Sequence, residues 1–388
     1  MSMTSRERLM TVLSGGIPDC VPVAPDFSNM IPARLTGKPF WDLYLYNDPP
    51  IHEAYIEAAR LFDIDSVMDG YFSVRFPEDR AIEPWLREEA EPEAWDNFIV
   101  QRTPERIVTQ RSYKSNGKRV WRPKVNVYYC DNPPTGGVDP DKVGLGPEPT
   151  WFEPLEGVKP VDHSPEGLGR VKSLLGDQGI VGVWLAGTCP IYREEQVYYV
   201  YDHQDQIEEW SHQRVQEVEK RFARLMAMPV RPDFFCVGGS GSLIFQSLDL
   251  FRRLSFPAVK RAIELASAAG IPTHVHSCGP EAELVKIFAQ ETTLTVIDPL
   301  EVPPMGDCDL AQLKRLYGDR IVLKGNLHTT NVMLRGSVDD VIAASRKAID
   351  DAAAGGRFIL STGDQCGRDT PDENLRAMVQ TARTYGRY

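Results

Sequence analysis

Thr273-His274-Val275-His276-Ser277-Cys278-Gly279 decides how this chain is read. An alanine-rich helical pattern over 258–269 runs into Gly270-Ile271-Pro272, and a short strand then ends in His276-Ser277-Cys278. Side chains two apart on a strand share a face. His276 and Cys278 therefore point the same way, with His274 behind them. An imidazole and a thiol on one face at a strand end make half of a zinc site. A buried histidine beside a buried cysteine is the plainer alternative.

On either side of this stretch, short apolar runs alternate with longer helical patterns, the order expected of a parallel α/β fold. The runs predict strands at 21–27, 65–68, 180–186, 234–237, 273–276, 294–297, 321–324 and 358–361. Amphipathic patterns predict helices over 257–269, 280–290, 309–317 and 338–355. Eight parallel strands with crossover helices form a (β/α)8 TIM barrel, here a single domain over 1–388. An insertion over 71–178 separates the second and third strands. It reads as an antiparallel β excursion, with strands at 97–102, 106–113 and 119–129 and a turn at Lys114-Ser115-Asn116-Gly117. The Pro/Gly-rich stretch 132–149 is expected to be a loop over the barrel mouth.

Composition narrows the class of function. With 42% hydrophobic and 25% charged residues the chain is an ordinary globular one. A net charge of −12 without a Lys/Arg cluster argues against a nucleic-acid partner. No apolar run is long enough for a membrane span, and the polar start of the chain does not read as a secretory signal. Seven scattered cysteines suit reduced thiols, which points to a cytoplasmic protein.

Barrel chemistry sits at the C-terminal ends of the strands, and those ends are polar here. They carry Asp26, Asp69, Gly239 and Ser240, His276 and Cys278, Asp298 and Glu301, Asn326 and His328, and Asp364 and Cys366. Tyr192 and Arg193 follow the third strand. Asp26, Asp69, Gly239, Ser240 and Arg193 are candidates for substrate binding, and Asn326, His328 and Tyr192 for catalysis. The metal candidates are His276, Cys278, Glu301 and a distal group that is either Cys366 or Asp364. Cys366 is preferred, because a soft thiolate suits zinc. Zinc in such a site would hold a substrate thiol as thiolate near neutral pH.

These residues resemble the uroporphyrinogen decarboxylase-like superfamily along most of the chain. The matching blocks are Gly15-Gly16-Ile17-Pro18-Asp19-Cys20-Val21-Pro22, the His-x-Cys-Gly strand, Pro303-Pro304-Met305-Gly306-Asp307, Lys324-Gly325-Asn326-Leu327 and Thr370-Pro371-Asp372-Glu373-Asn374. True uroporphyrinogen decarboxylases carry an Arg-rich N-terminal segment, where this chain has 26–34 with one arginine, Arg34. His-x-Cys instead resembles the methyltransferase branch: methylcobamide:coenzyme M methyltransferases, corrinoid-linked demethylation systems and, more distantly, cobalamin-independent methionine synthase.

The resemblance implies Zn2+, methyl-cobalamin carried on a corrinoid-binding partner protein, a small methyl donor or acceptor, and a possible homodimer. Glu301 falls close to the place of the additional Glu of methionine synthases. Two positions depart from the pattern. Asp364 stands where the branch has its distal Cys, and the stretch Gly325-Asn326-Leu327-His328-Thr329 lacks the Asp-Pro that the family commonly has after the apolar residue. The alternative on the same fold is a metal-independent decarboxylase or lyase of a small carboxylate, bound by Arg34, Arg75, Arg193 and Arg368. A non-catalytic partner in a corrinoid system is a third reading.

Overall fold

The computed structural model describes residues 2–79, 95–191 and 194–388. In chain order the strands are β1 (Ser66–Met68), β2 (Asp96–Arg102), β3 (Arg106–Ser115), β4 (Lys118–Tyr129), β5 (Thr135–Val138), β6 (Glu153–Pro154), β7 (Gly179–Gly187), β8 (Phe234–Gly238), β9 (Thr273–His276), β10 (Val296–Asp298), β11 (Val322–Leu327) and β12 (Phe358–Thr362). The described residues group into two units. One comprises residues 2–26, 59–79, 162–191 and 194–388, the other 27–58 and 95–161.

The first unit is built on a curled, seven-stranded parallel sheet in the order β1-β7-β8-β9-β10-β11-β12. Helices Gln204–Met226, Phe256–Ala268, Ala282–Glu291, Leu310–Tyr317 and Val338–Ala352 connect successive strands. Their starts follow local chemistry: Asp309 accepts the Gln312 N–H, and Ser337 with Asp340 forms a capping box.

The expected first strand, 21–27, is not a regular strand. Val23 makes a single parallel bridge to Leu360. The Ala24 N–H donates to Leu360 O, the Leu360 N–H donates to Pro22 O, and the Asp65 N–H donates to Val23 O. Pro22 and Pro25 have no N–H to give, which keeps this segment from extending a ladder. The fold is thus TIM-like, with seven regular parallel strands where the sequence pattern predicts eight.

One end of this sheet is filled with apolar side chains. Leu9, Val12 and Leu13 of the N-terminal helix Ser5–Leu13 pack with Ile180, Phe234, Val296, Val322 and Ile359, which lie at or near the beginnings of their strands. Packing the helix there leaves the strand C-termini as the polar end.

The second unit carries a five-stranded antiparallel sheet, β5-β4-β3-β2-β6. The excursion expected over 71–178 is centred here, joined by helices Met30–Leu35 and Phe40–Tyr44. Its β3–β4 hairpin turns at Asn116-Gly117, both with positive φ, as a two-residue type I′ turn requires. The stretch 132–149 is more structured than the loop expected. It contains β5, paired with β4, and the 3-10 turn Pro140–Val143, whose Val143 packs with Phe98, Val100, Val108, Val125 and Val127.

Candidate metal site

Three neighbouring strands set the site in register. Cys236 of β8 pairs with His274 of β9, and β10 pairs Asp298 with His276. Alternation therefore turns His274, His276 and Asp298 onto the same face. The Lys324 ammonium, from β11, forms an ion pair with Asp298 Oδ2. His274 spans two carboxylates, with Nε2 2.9 Å from Asp298 Oδ1 and Nδ1 2.9 Å from Asp69 Oδ2. The Cys236 thiol donates to Asp69 Oδ1 at 2.8 Å.

Burial and charge compete in this cluster, and pairing wins. Burial opposes ionisation of Asp298, but Lys324 and the two imidazoles override it and hold the carboxyl well below the usual range. Burial likewise opposes the charged form of Asp69, and His274 lowers its pKa all the same. The same partners raise His274 and Lys324 against desolvation. Unpaired charges at this depth would cost several kcal/mol, roughly, so the cluster persists only as a whole.

His276 links the buried cluster to the polar end. Its Nδ1 lies 3.1 Å from Asp298 Oδ1, and its Nε2 is 3.7 Å from Asp364 Oδ1. Desolvation lowers its pKa, but Asp298 and hydrogen bonding to Cys278 raise it well above the ordinary value. Beside it, one donor atom each from Cys278, Glu301 and Asp364 lie within 4.8 Å of one another. Bonds of about 2.0–2.3 Å would put the donors of a tetrahedral zinc about 3.3–3.8 Å apart, so a small contraction suffices. The donor types also fit, because zinc accepts thiolate, imidazole and carboxylate. With Asp298 on Nδ1, His276 has the carboxylate–histidine arrangement that orients a metal-binding Nε2.

Local structure holds the three donors. Glu301 Oε2 accepts the Gly279 N–H at 2.6 Å, tying the loop after β10 to the loop after β9. Ser240 Oγ is 2.8 Å from Cys278 Sγ. Asp364 has a left-handed backbone (φ 101°). Burial raises the Asp364 carboxyl pKa, with Glu301 and Asp298 adding to the rise and His276 opposing it.

Several expected residues are placed differently. Cys366 is fully buried and outside this donor group, and burial pushes its thiol up to about 12. His328 caps its own loop, with Nδ1 accepting the Thr330 and Asn331 N–H groups at 3.2 Å each. Asn326 donates through Nδ2 to Leu300 O at 3.1 Å. Gly239 packs where a Cβ would collide with Thr188. Asp26 is half-buried; its N–H donates to Thr362 Oγ1, its carbonyl accepts the Cys366 N–H, and its charge acts on His276 and Lys324. Asp69 belongs to the buried cluster. Tyr192 and Arg193 lie outside the described residues. Of the arginines expected to bind a carboxylate, Arg368 pairs with Asp369 and Arg75 is exposed.

Sequence reading gave no role to Lys324, Asp298, His274 or Glu281. A lysine inside the apolar run Ile321-Val322-Leu323-Lys324-Gly325 was the available signal, since a buried strand rarely carries a charge without a partner. Glu281 is fully buried. Burial, with Asp298 adding to it, raises its carboxyl pKa well above the ordinary range.

Residues 242–385, which include His276, Cys278, Glu301 and Asp364, match the family described as Uroporphyrinogen decarboxylase (URO-D). Among solved structures, a methyltransferase from Methanosarcina mazei is similar over 99% of this chain and 99% of its own, with a TM-score of 0.56 and 16% identity. No curated protein matches. No helix among the described residues is long and apolar enough to cross a membrane.

Proposed function

We propose that this uroporphyrinogen decarboxylase-like chain is a zinc-dependent methyltransferase that moves a methyl group between a corrinoid protein and a small thiol or methylated molecule. The observation that carries the reading is the convergence of Cys278, Glu301 and Asp364, with His276 Nε2 beside Asp364, at the C-terminal ends of the parallel strands. We take the fold as a (β/α)8 barrel in which 22–24 stands in the place of the first strand, bonded to Leu360 on one side and Asp65 on the other.

Zinc, when bound, would supply Lewis acidity that keeps an acceptor thiol as thiolate near neutral pH. The chain's own residues orient and tune the site. Asp298, ionised by Lys324 and His274, fixes the His276 ring. Glu301 is anchored on the Gly279 N–H, and Ser240 contacts the Cys278 sulfur. In transfer to the thiol, an S–CH3 bond would form as the methyl–cobalt bond of the corrinoid substrate breaks, with the bonding pair left on a Co(I) corrinoid and the thiol proton released to water. Transfer from a methylated donor to the corrinoid would run the same exchange in reverse.

A corrinoid protein needs a broad approach to the site. Ile244 is 53% exposed and sits over Gly279, while Met305, in the loop after Glu301, is 61% exposed. Apolar side chains exposed beside a polar site suit a macromolecular partner.

The test is zinc analysis of the purified protein, followed by methyl-cobalamin demethylation with a panel of small thiols. The reading expects about one zinc per chain and thiol-dependent demethylation. It also expects Cys278→Ala to lose both while remaining folded. A metal-free protein that binds no added zinc, or zinc unchanged in Cys278→Ala, overturns it.

A further inference from the structure

We infer that Glu281 is a positioning residue for Glu301, acting through the backbone of Leu300. This rests on the proposed zinc site and adds a residue to it. Leu300 is fully buried and has φ 59°, a left-handed conformation that a leucine rarely adopts. Its peptide groups are held from both sides. The Leu300 N–H donates to Glu281 Oε2 at 2.7 Å, and Asn326 Nδ2 donates to Leu300 O at 3.1 Å. The next residue is Glu301, whose carboxylate meets the Gly279 N–H at 2.6 Å, one residue beyond Cys278.

Glu281 is itself fixed. Its N–H and that of Ala282 both donate to Asp307 Oδ1, at 2.8 and 3.0 Å. The loop closes on itself where the Cys308 N–H donates to Glu301 O at 3.0 Å. Gly306 sits in the gap, where a Cβ would press on Glu301 and Gly279. A strained residue persists only where its surroundings over-determine it. Here the surroundings are Glu281 and Asn326, and the strain aims the Glu301 side chain back toward Cys278. Glu281 Oε2 takes the Leu300 N–H and Oε1 has no hydrogen-bond partner among the described residues, so Glu281 reaches the metal group through another residue.

The prediction is specific because glutamine keeps the carbonyl acceptor and leucine removes it at similar volume. Glu281→Gln should bind zinc within a few-fold of the parent, whereas Glu281→Leu and Glu281→Ala should bind it roughly tenfold to a hundredfold more weakly in chelator competition. In a Glu301→Ala background the Glu281→Leu change should add nothing, since the route runs through Glu301. Equal losses in both backgrounds, or no loss in either, overturn the inference. Crystal structures of metal-free Glu281→Leu and Glu281→Gln test it without zinc. The leucine variant should lose the Glu301–Gly279 hydrogen bond and the left-handed Leu300, and the glutamine variant should keep both. Retention of both in the leucine variant overturns the inference. A parent protein that binds no zinc, whose leucine variant nonetheless releases Glu301 from Gly279, would overturn the metal reading and leave the positioning role standing.

Discussion

His276 presents Nδ1 to Asp298 Oδ1 at 3.1 Å, and that contact turns its Nε2 toward the side where Asp364 lies. Asp298 serves three cationic groups at once, because Lys324 and His274 also pair with it. Orientation of the proposed ligand and neutralisation of the buried charges thus depend on one carboxylate.

Asp298→Asn should therefore weaken two properties together. Zinc affinity should fall roughly tenfold to a hundredfold as the His276 ring loses its anchor. Stability should fall by about 3–5 kcal/mol, because Lys324 and His274 keep their burial and lose their counter-charge. Chelator competition and urea unfolding measure the two. A variant unchanged in both would show that the cluster does not depend on this carboxylate.

The distal position separates two proposed ligands. Asp364 lies with Cys278 and Glu301, whereas Cys366 is fully buried and outside that group. Asp364→Ala should lose stoichiometric zinc, while Cys366→Ala should retain it with only a core-packing loss of stability, about 1 kcal/mol. Zinc lost from Cys366→Ala and kept by Asp364→Ala would return the role to the thiol.

Much of this was legible in sequence, for identifiable reasons. The His276-x-Cys278 face followed from strand alternation alone, and Glu301 and Asp364 from standing just beyond strand ends. The preference for Cys366 rested on the softness of sulfur. It could not anticipate that the two-residue step from Asp364 to Cys366 places the thiol in the interior, where the Cys366 N–H bonds to Asp26 O. The first strand was over-read because 21–27 is apolar, while its two prolines limit the ladder to one bridge. Glu281 carried no signal, since its role depends on a left-handed Leu300 that only the fold creates.

Acid should act on the structure at Asp233 as well. This buried carboxylate accepts from both Arg6 Nη groups at 2.6 and 3.0 Å, from Lys172 at 2.8 Å and from the Val181 N–H at 2.9 Å. Burial opposes its ionisation, yet these partners lower its pKa below the ordinary 3.8. A carboxyl depressed on folding stabilises the folded state above its unfolded pKa. That contribution is lost as pH falls through 3.8 toward the folded value. Asp233→Asn should be roughly 2–4 kcal/mol less stable than the parent at neutral pH, and the gap should narrow in strong acid. Urea unfolding across that range reads the difference. A gap constant with pH would mean that the loss is steric.

His328 tests whether a histidine at a strand end is chemical or architectural. Its Nδ1 accepts two N–H groups at the start of the turn Thr329–Leu334, which leaves the ring proton on Nε2, 3.3 Å from the Asn331 amide of the same loop. Turn starts are satisfied equally well by asparagine, whose side-chain oxygen reaches the same donors, and poorly by alanine. His328→Ala should therefore lower stability by about 0.5–2 kcal/mol, and His328→Asn should recover most of that loss. Both variants should keep zinc and transfer methyl within a few-fold of the parent, since a cap contributes to the loop and not to the reacting atoms. Thermal melts and the methyl-cobalamin assay separate the cases. Should alanine and asparagine both abolish transfer at unchanged stability, His328 would be an acid or base in the reaction, and the loop it caps would have to bring it to the substrate.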